Sequence, residues 1–181
     1  IPTEVDIASE FRYRDPIIDE KTLCIFVSQS GETADTIAAL KLSKSKGART
    51  LAVSNVIGSS ITREADYTIY THAGPEIAVA STKAYTNQCA AFYILANMLS
   101  GKGTKATKQI KKLSNQIKKV LSSTFIRELQ SLANKIKSTK NVFFIGKNYD
   151  YITACEASLK LKEISYINCS ALPAGELKHG T

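Results

Sequence analysis

The first unbroken apolar run of the chain is Leu23-Cys24-Ile25-Phe26-Val27, which reads as a strand covered on both faces. Ile37, Leu40, Lys41 and Lys44 then recur at three- and four-residue spacing, predicting a helix over Thr33–Lys46 with Gly47 as its terminating residue. Arg49–Val53 is the next expected strand, and it leads into the polar stretch Ser54–Ser60. A short helix is expected around Ser60–Glu64, and then a strand over Tyr67–Tyr70. Repeated β-α-β-α with short connections predicts a parallel sheet with right-handed crossovers and helices on both faces. Ile1–Asp19 shows little periodicity; Glu10-Phe11-Arg12-Tyr13-Arg14 reads either as the start of a short helix or as a segment packed against a neighbour.

The pattern changes after a loop at His72–Glu76. A long helix is expected over Ile77–Leu99, closed by Gly101 and Gly103, and two amphipathic helices follow near Lys105–Leu121 and Phe125–Lys137. Alternation then resumes with a strand at Asn141–Gly146, a helix at Tyr151–Tyr166, a short strand at Asn168–Ala171 and a further element beginning at Gly175–His179. The expected organisation is a first unit at 1–100, a lysine-rich helical bridge at 101–138 and the first half of a second unit at 139–181. Both units read as truncated, and the opening Ile1 in place of Met fits an excised segment.

Charge alters this picture only after it is located. The chain of 181 residues carries +8, but residues 101–140 alone carry +10, leaving −2 for the rest. Lys102, Lys105, Lys108, Lys111, Lys112, Lys118 and Lys119 oppose Ile110, Leu113, Ile117, Val120 and Leu121, the pattern of an amphipathic helix with a solvated basic face. Arginine and interleaved aromatics are nearly absent there, which argues against nucleic-acid binding. No apolar stretch approaches the roughly 20 residues that span a bilayer, and the N-terminal sequence lacks the features of a signal peptide. Cys24, Cys89, Cys155 and Cys169 are far apart; three lie in apolar segments and read as small buried hydrophobes of a reducing compartment, so disulfides and zinc are not expected.

Three groups of residues carry candidate chemistry. The first is Ser28-Gln29-Ser30-Gly31-Glu32-Thr33, between a strand and a helix start. Unpaired helix N–H groups, the positive dipole end and the hydroxyls of Ser28, Ser30 and Thr33 can receive an oxyanion, while Gly31 permits close approach. An ordinary capped helix is the competing reading. Glu32 would repel a phosphate, so its carboxylate must point elsewhere. The second group is Lys160 and Glu163, whose three-residue spacing puts them on one helical face; they read either as a surface ion pair or as a carboxylate able to move a proton. Lys162 falls off that face. The third is His179, one of two histidines, read locally as a turn or surface residue. His72, Asp35 and Glu76 read as structural, cap or loop residues.

Four segments together resemble a known family. They are Ile7–Arg14, Ser28–Thr36, Val79–Thr86, and Leu159–Tyr166 with Ala174–Gly180. In this order they are similar to the isomerase domain of the glutamine–fructose-6-phosphate aminotransferases, also called glucosamine-6-phosphate synthases. The similarity covers nearly the whole chain and is weakest through the lysine-rich bridge. It implies an α/β fold: three-layer, flavodoxin-like parallel sheets of the sugar-isomerase (SIS) type in two units, the first lacking its opening strand and helix and the second stopping about halfway.

The resemblance also implies site roles. Ser28, Gln29, Ser30 and Thr33 match the phosphate-binding turn, and Val79 and Ser81 match positions lining the sugar. Ser81 has the alternative of bonding a backbone carbonyl within its own helix. Ala78 stands where the family usually has glycine. Glu163 matches the proton-transferring carboxylate, Lys160 lies beside it, and His179 matches a ring-opening histidine that enters the neighbouring subunit's site, which implies a homodimer. The implied reaction takes fructose 6-phosphate and ammonia to glucosamine 6-phosphate in hexosamine biosynthesis, in the cytoplasm, with no metal or organic cofactor. A glutamine amidotransferase domain is absent from this chain, as is the family's C-terminal tail with its Schiff-base lysine, so the segment alone is expected to show little or no catalysis. The alternatives are a non-catalytic sugar-phosphate sensor on the same fold and an SIS-type amino-sugar-phosphate deaminase or deglycase.

Overall fold

The computed structural model describes residues 1–180. The chain divides into two compact units, Ile1–Lys108 and Gln109–Thr181, each built on its own parallel sheet.

In the first unit, helix α1 (Ala8–Phe11) precedes strand β1 (Leu23–Ser28), helix α2 (Ala34–Ser45), strand β2 (Arg49–Ser54), helix α3 (Ser60–Glu64) and strand β3 (Tyr67–Tyr70). The sheet order is β1-β2-β3, and all neighbours are parallel. These elements match the sequence expectation closely, because apolar strand runs and a helix ended by Gly47 (φ +87°) are local properties. Phe26 and Ala52 on the sheet pack with Ala39 and Leu40 of α2 and Ile61 of α3, and α1 adds Ala8 and Phe11 at the edge of this cluster. The central strand β2 is buried from Thr50 to Ser54. The edge strand β1 departs from the expected double-sided cover: Phe26 and Ser28 are buried, but Leu23 and Val27 are 49% and 40% exposed. Strand β1 has a strand neighbour on one side only.

The long helix predicted from Ile77 begins later. Helix α4 spans Lys83–Leu99, and residues 77–82 form bends and irregular backbone ahead of it. The reason lies in Glu76, whose carboxylate accepts hydrogen bonds from this segment, as described below. Helix α5 (Gly103–Val120) follows.

In the second unit, helix α6 (Ser123–Ile136) precedes strand β4 (Asn141–Gly146), helix α7 (Tyr149–Ser165), strand β5 (Asn168–Pro173) and a 3-10 turn at Leu177–His179. Ser122 caps α6 by accepting the Phe125 N–H at 3.3 Å. Strands β4 and β5 pair in parallel from Asn141–Asn168 to Gly146–Pro173, and α7 crosses over against both. Val142 and Phe144 face the covered side, while Phe143 and Ile145 are half exposed. Gly146 sits where α7 turns back on the strand: a Cβ there would lie 2.4 Å from the backbone of Asp150 and Tyr151.

The cysteine expectation is corrected. Of the four thiols only Cys169 is buried; Cys24 is intermediate, and Cys89 and Cys155 are exposed. Residues 89 and 155 lie on outward positions of α4 and α7, so the apolar character of their neighbours did not set their own burial. Among the described residues no helix is long and apolar enough to cross a membrane, and no cluster of metal-ligating side chains occurs.

Candidate functional site

In the first unit, the end of β1 and the start of α2 hold the hydroxyl-rich turn in one arrangement. Ser28, buried at the end of β1, accepts the Gly31 N–H on its Oγ at 3.0 Å, and the same oxygen lies 3.0 Å from Thr33 Oγ1. Ser30 Oγ accepts the Glu32 N–H at 3.2 Å. Thr33 occupies the N-cap position of α2 but gives the helix no side-chain cap, because its hydroxyl is turned toward Ser28. The first N–H groups of α2 therefore keep their donor capacity at the positive end of the helix dipole. The backbone carbonyl of Gln29 accepts the Asn55 N–H at 3.2 Å, tying the turn to the end of β2.

Gly31 has φ +69°, and a Cβ on it would fall 2.0 Å from Ser59 Oγ. The backbone of the turn thus passes directly over the loop that enters α3. That contact also settles where Glu32 goes. Its Oε1 accepts the Ser60 N–H at 2.8 Å, at the start of α3. Hydrogen bonding from Ser60 lowers the Glu32 pKa, against a smaller opposing effect of burial, with Arg63 adding to the lowering. The carboxylate that sequence reasoning found awkward beside a phosphate is therefore directed away from the turn and onto a second helix start.

The segment after β3 is held from two directions. Asn55 accepts the Ala73 N–H at 2.7 Å and the Thr71 hydroxyl at 3.2 Å on Oδ1, and donates to the Gly74 carbonyl at 2.7 Å. Glu76 Oε2 accepts from Ser81 Oγ at 3.3 Å, Thr82 N at 3.4 Å and Ala84 N at 3.1 Å. Ser81 lies before α4 and bonds Glu76, so the alternative reading of a bond to a carbonyl within its own helix is overturned. Val79 is fully exposed at 102%, on the outer side of this loop, while Ala80 and Ala84 are buried beneath it.

In the second unit, α7 carries the candidate proton-transfer group. Lys160 Nζ is 2.7 Å from Glu163 Oε2 and 3.7 Å from Glu156 Oε1, one turn back on the same face. The side chains of Lys160, Glu163 and Glu156 are 23%, 36% and 25% exposed. The hydrogen bond to Glu163 raises the Lys160 pKa, against the opposing effect of burial, and Glu156 adds to the rise. The lysine is thus held as an ammonium. Lys162 is exposed, off this face. His179 stands on the exposed 3-10 turn, with its N–H bonded to the Glu176 carbonyl at 2.9 Å; an open groove beside it is lined by Ala174, Gly175, Leu177 and Lys178.

Sequence reasoning missed two participants. Glu156 was legible in principle from its four-residue spacing to Lys160. Asn55 gave no signal, because its partners lie 16 to 19 residues away in a loop.

Comparison with known proteins gives a consistent answer. Residues 1–98 match the model of the SIS domain. The chain is 54% identical over its whole length to the glutamine–fructose-6-phosphate aminotransferase (isomerizing) of Caldanaerobacter subterraneus subsp. tengcongensis, and 56% identical over 99% of its length to that of Clostridium tetani. It spans 31% of the length of each of these relatives. Among solved structures, the C-terminal domain of glucosamine-fructose-6-phosphate aminotransferase from Francisella tularensis superposes with a TM-score of 0.87 at 39% identity, over 99% of this chain and 53% of that one. A glucosamine-6-phosphate deaminase from Thermotoga maritima shares the fold, with a TM-score of 0.72 over 96% of this chain and 52% of that one, at 20% identity.

Proposed function

The chain belongs to the SIS domain family, and from that premise we propose that it is the isomerase portion of an enzyme making glucosamine 6-phosphate from fructose 6-phosphate and ammonia. In this reading residues 1–100 are a first SIS unit, 139–181 open a second, and the lysine-rich 101–138 joins them. The observation that carries the reading is the hydroxyl turn Ser28–Thr33. Its N-cap threonine leaves the start of α2 uncapped, and its carboxylate is turned away onto Ser60. That suits a phosphomonoester, since helix N–H groups and hydroxyls can donate while the Glu32 carboxylate is engaged elsewhere.

The proposed chemistry assigns the roles that the family resemblance implies. Ser28, Gln29, Ser30 and Thr33 take the phosphate, and Val79 and Ser81 line the sugar. His179 assists opening of the ring, supplied across a homodimer interface. Ammonia, delivered from glutamine by a domain outside this chain, adds to the C2 carbonyl, and the carbinolamine loses water to leave the C2 imine. Glu163 then takes the proton from C1 and returns one at C2, converting a ketose-derived imine to an aldose. The ammonium of Lys160 beside it stabilises negative charge developing on the enolamine oxygen. The reaction is a proton relocation between adjacent carbons with no net oxidation. The cytoplasm is the compartment in which this reading places it.

The test is calorimetric titration of the full-length protein carrying this segment with fructose 6-phosphate and, separately, glucosamine 6-phosphate, followed by a turnover assay with ammonia as donor. Binding of both with formation of glucosamine 6-phosphate is expected. Binding without turnover would favour a sensor, and release of ammonia from glucosamine 6-phosphate as the only reaction would favour a deaminase.

A further inference from the structure

We propose that Glu76 is a positioning residue for the sugar-lining segment: its carboxylate draws residues 77–84 into a closed loop and so fixes the places of Val79 and Ser81. The inference rests on the functional reading above, which is what makes that segment sugar-lining.

The geometry concentrates three donors on one oxygen. Glu76 Oε2 accepts from the Ser81 hydroxyl at 3.3 Å and from the Thr82 and Ala84 N–H groups at 3.4 and 3.1 Å. Thr82, at the N-cap position of α4, has φ −127° and ψ −68° and makes no side-chain cap. Two of the backbone donors at the start of this 17-residue helix, the Thr82 and Ala84 N–H groups, are therefore met by a carboxylate entering from outside it, eight residues before Ala84. A negative group there also suits the helix dipole. The Glu76 pKa is lowered first by the Ala84 N–H, consistent with a carboxylate kept ionised in this role.

Burial indicates what the loop is for. Ala80 and Ala84 are buried, so the inner side of the loop is packed, while Val79 is wholly exposed at its crest. Upstream, the Asn55 bonds to Ala73 and Gly74 fix the other end. A loop pinned at both ends, with one apolar side chain held outward and one hydroxyl held by a carboxylate, presents two contact groups at low conformational cost. A helix cap alone would need neither the Ser81 bond nor the reach across the loop.

The experiment is steady-state kinetics and binding of fructose 6-phosphate in the full-length protein carrying Glu76→Ala and Glu76→Gln. We expect Glu76→Ala to raise KM about tenfold while kcat at saturation stays within about threefold. Glu76→Gln, whose amide oxygen accepts the same N–H bonds, restores KM to within about threefold of wild type. A fall in thermal midpoint with KM unchanged would make Glu76 a structural cap only and overturns the proposal. If Glu76→Ala does not fold, the Gln variant and amide exchange of Ala84 in the wild-type protein decide: protection of that N–H beyond its neighbour Lys83 supports the clasp, and free exchange overturns it. Wild-type protein that fails to bind fructose 6-phosphate overturns the functional reading and this inference together; wild-type binding that Glu76→Ala leaves unchanged overturns this inference alone.

Discussion

Lys160 and Glu163 meet at 2.7 Å on one face of α7, with Glu156 3.7 Å from the same ammonium. A single exposed pair of this spacing stabilises a helix by only about 0.2–0.5 kcal/mol, so stability is a weak reason for the arrangement. A lysine shared between two carboxylates, each only partly exposed, is better suited to holding charge beside a group that accepts a proton. Removing the carboxylate separates these roles.

Glu163→Gln keeps the size and much of the hydrogen bonding of the side chain but cannot accept a proton, the role proposed for Glu163. Turnover should fall by at least about 100-fold, the lower range for loss of a general base, with fructose 6-phosphate affinity within about twofold of wild type. Calorimetry paired with the ammonia-dependent assay checks this, and retained turnover would remove Glu163 from its role.

Ser28 and Ser30 should respond differently. Ser28 Oγ is the buried acceptor of the Gly31 N–H, so Ser28→Ala leaves that donor unmet and costs about 1–3 kcal/mol of stability. Among the described residues, the Ser30 hydroxyl is bonded only to the exposed Glu32 N–H. Ser30→Ala should therefore change stability by less than about 0.5 kcal/mol while weakening sugar-phosphate binding roughly tenfold through one lost bond to a charged group. Denaturant melts and titrations of both variants give the comparison.

Gly31→Ala places a methyl group 2.0 Å from Ser59 Oγ on a backbone at φ +69°. Overpacking and the left-handed conformation act together, and a loss of about 2–4 kcal/mol is expected. Binding should fail as well, since relief of the clash moves the turn. A stable variant with normal affinity would show that the close approach to the α3 loop is not required.

Asp66 links stability to pH. Its carboxylate accepts from Thr50 N and Thr50 Oγ1, both at 2.8 Å, and pairs with Lys44 at 3.0 Å. Hydrogen bonding from Thr50, then from Lys44, lowers its pKa from 3.8 to about 2. Because the folded state favours the ionised form, this contribution is present above pH 3.8 and is lost as pH falls through about 2. Wild type should exceed Asp66→Asn in stability at pH 6, and the gap should close between about pH 4 and pH 2. A gap independent of pH would mean that the carboxylate's charge is irrelevant.

Most elements were legible because their causes are local. Ser60–Glu64, Tyr67–Tyr70 and Asn141–Gly146 fall where their spacing predicts. The start of α4 was misread by six residues for a non-local reason: residues 77–82 have acceptable helical character, and a carboxylate at Glu76 holds them in another shape. The exposure of Cys89 and Cys155 was misread in a related way, since an apolar neighbourhood in sequence does not say which side of a helix faces inward.

By itself the sequence determined the order of strands and helices, the hydroxyl turn ahead of α2 and the Lys160–Glu163 face of α7, because each follows from spacing within a few residues. Only the tertiary structure decided where the carboxylates of Glu32 and Glu76 point. Glu32 reaches Ser60, 28 positions along the chain, and Glu76 closes a loop over a helix start it does not belong to. Both choices depend on which orphaned N–H groups the folded backbone brings within hydrogen-bond range, a matter of three-dimensional distance that no periodicity along the chain encodes.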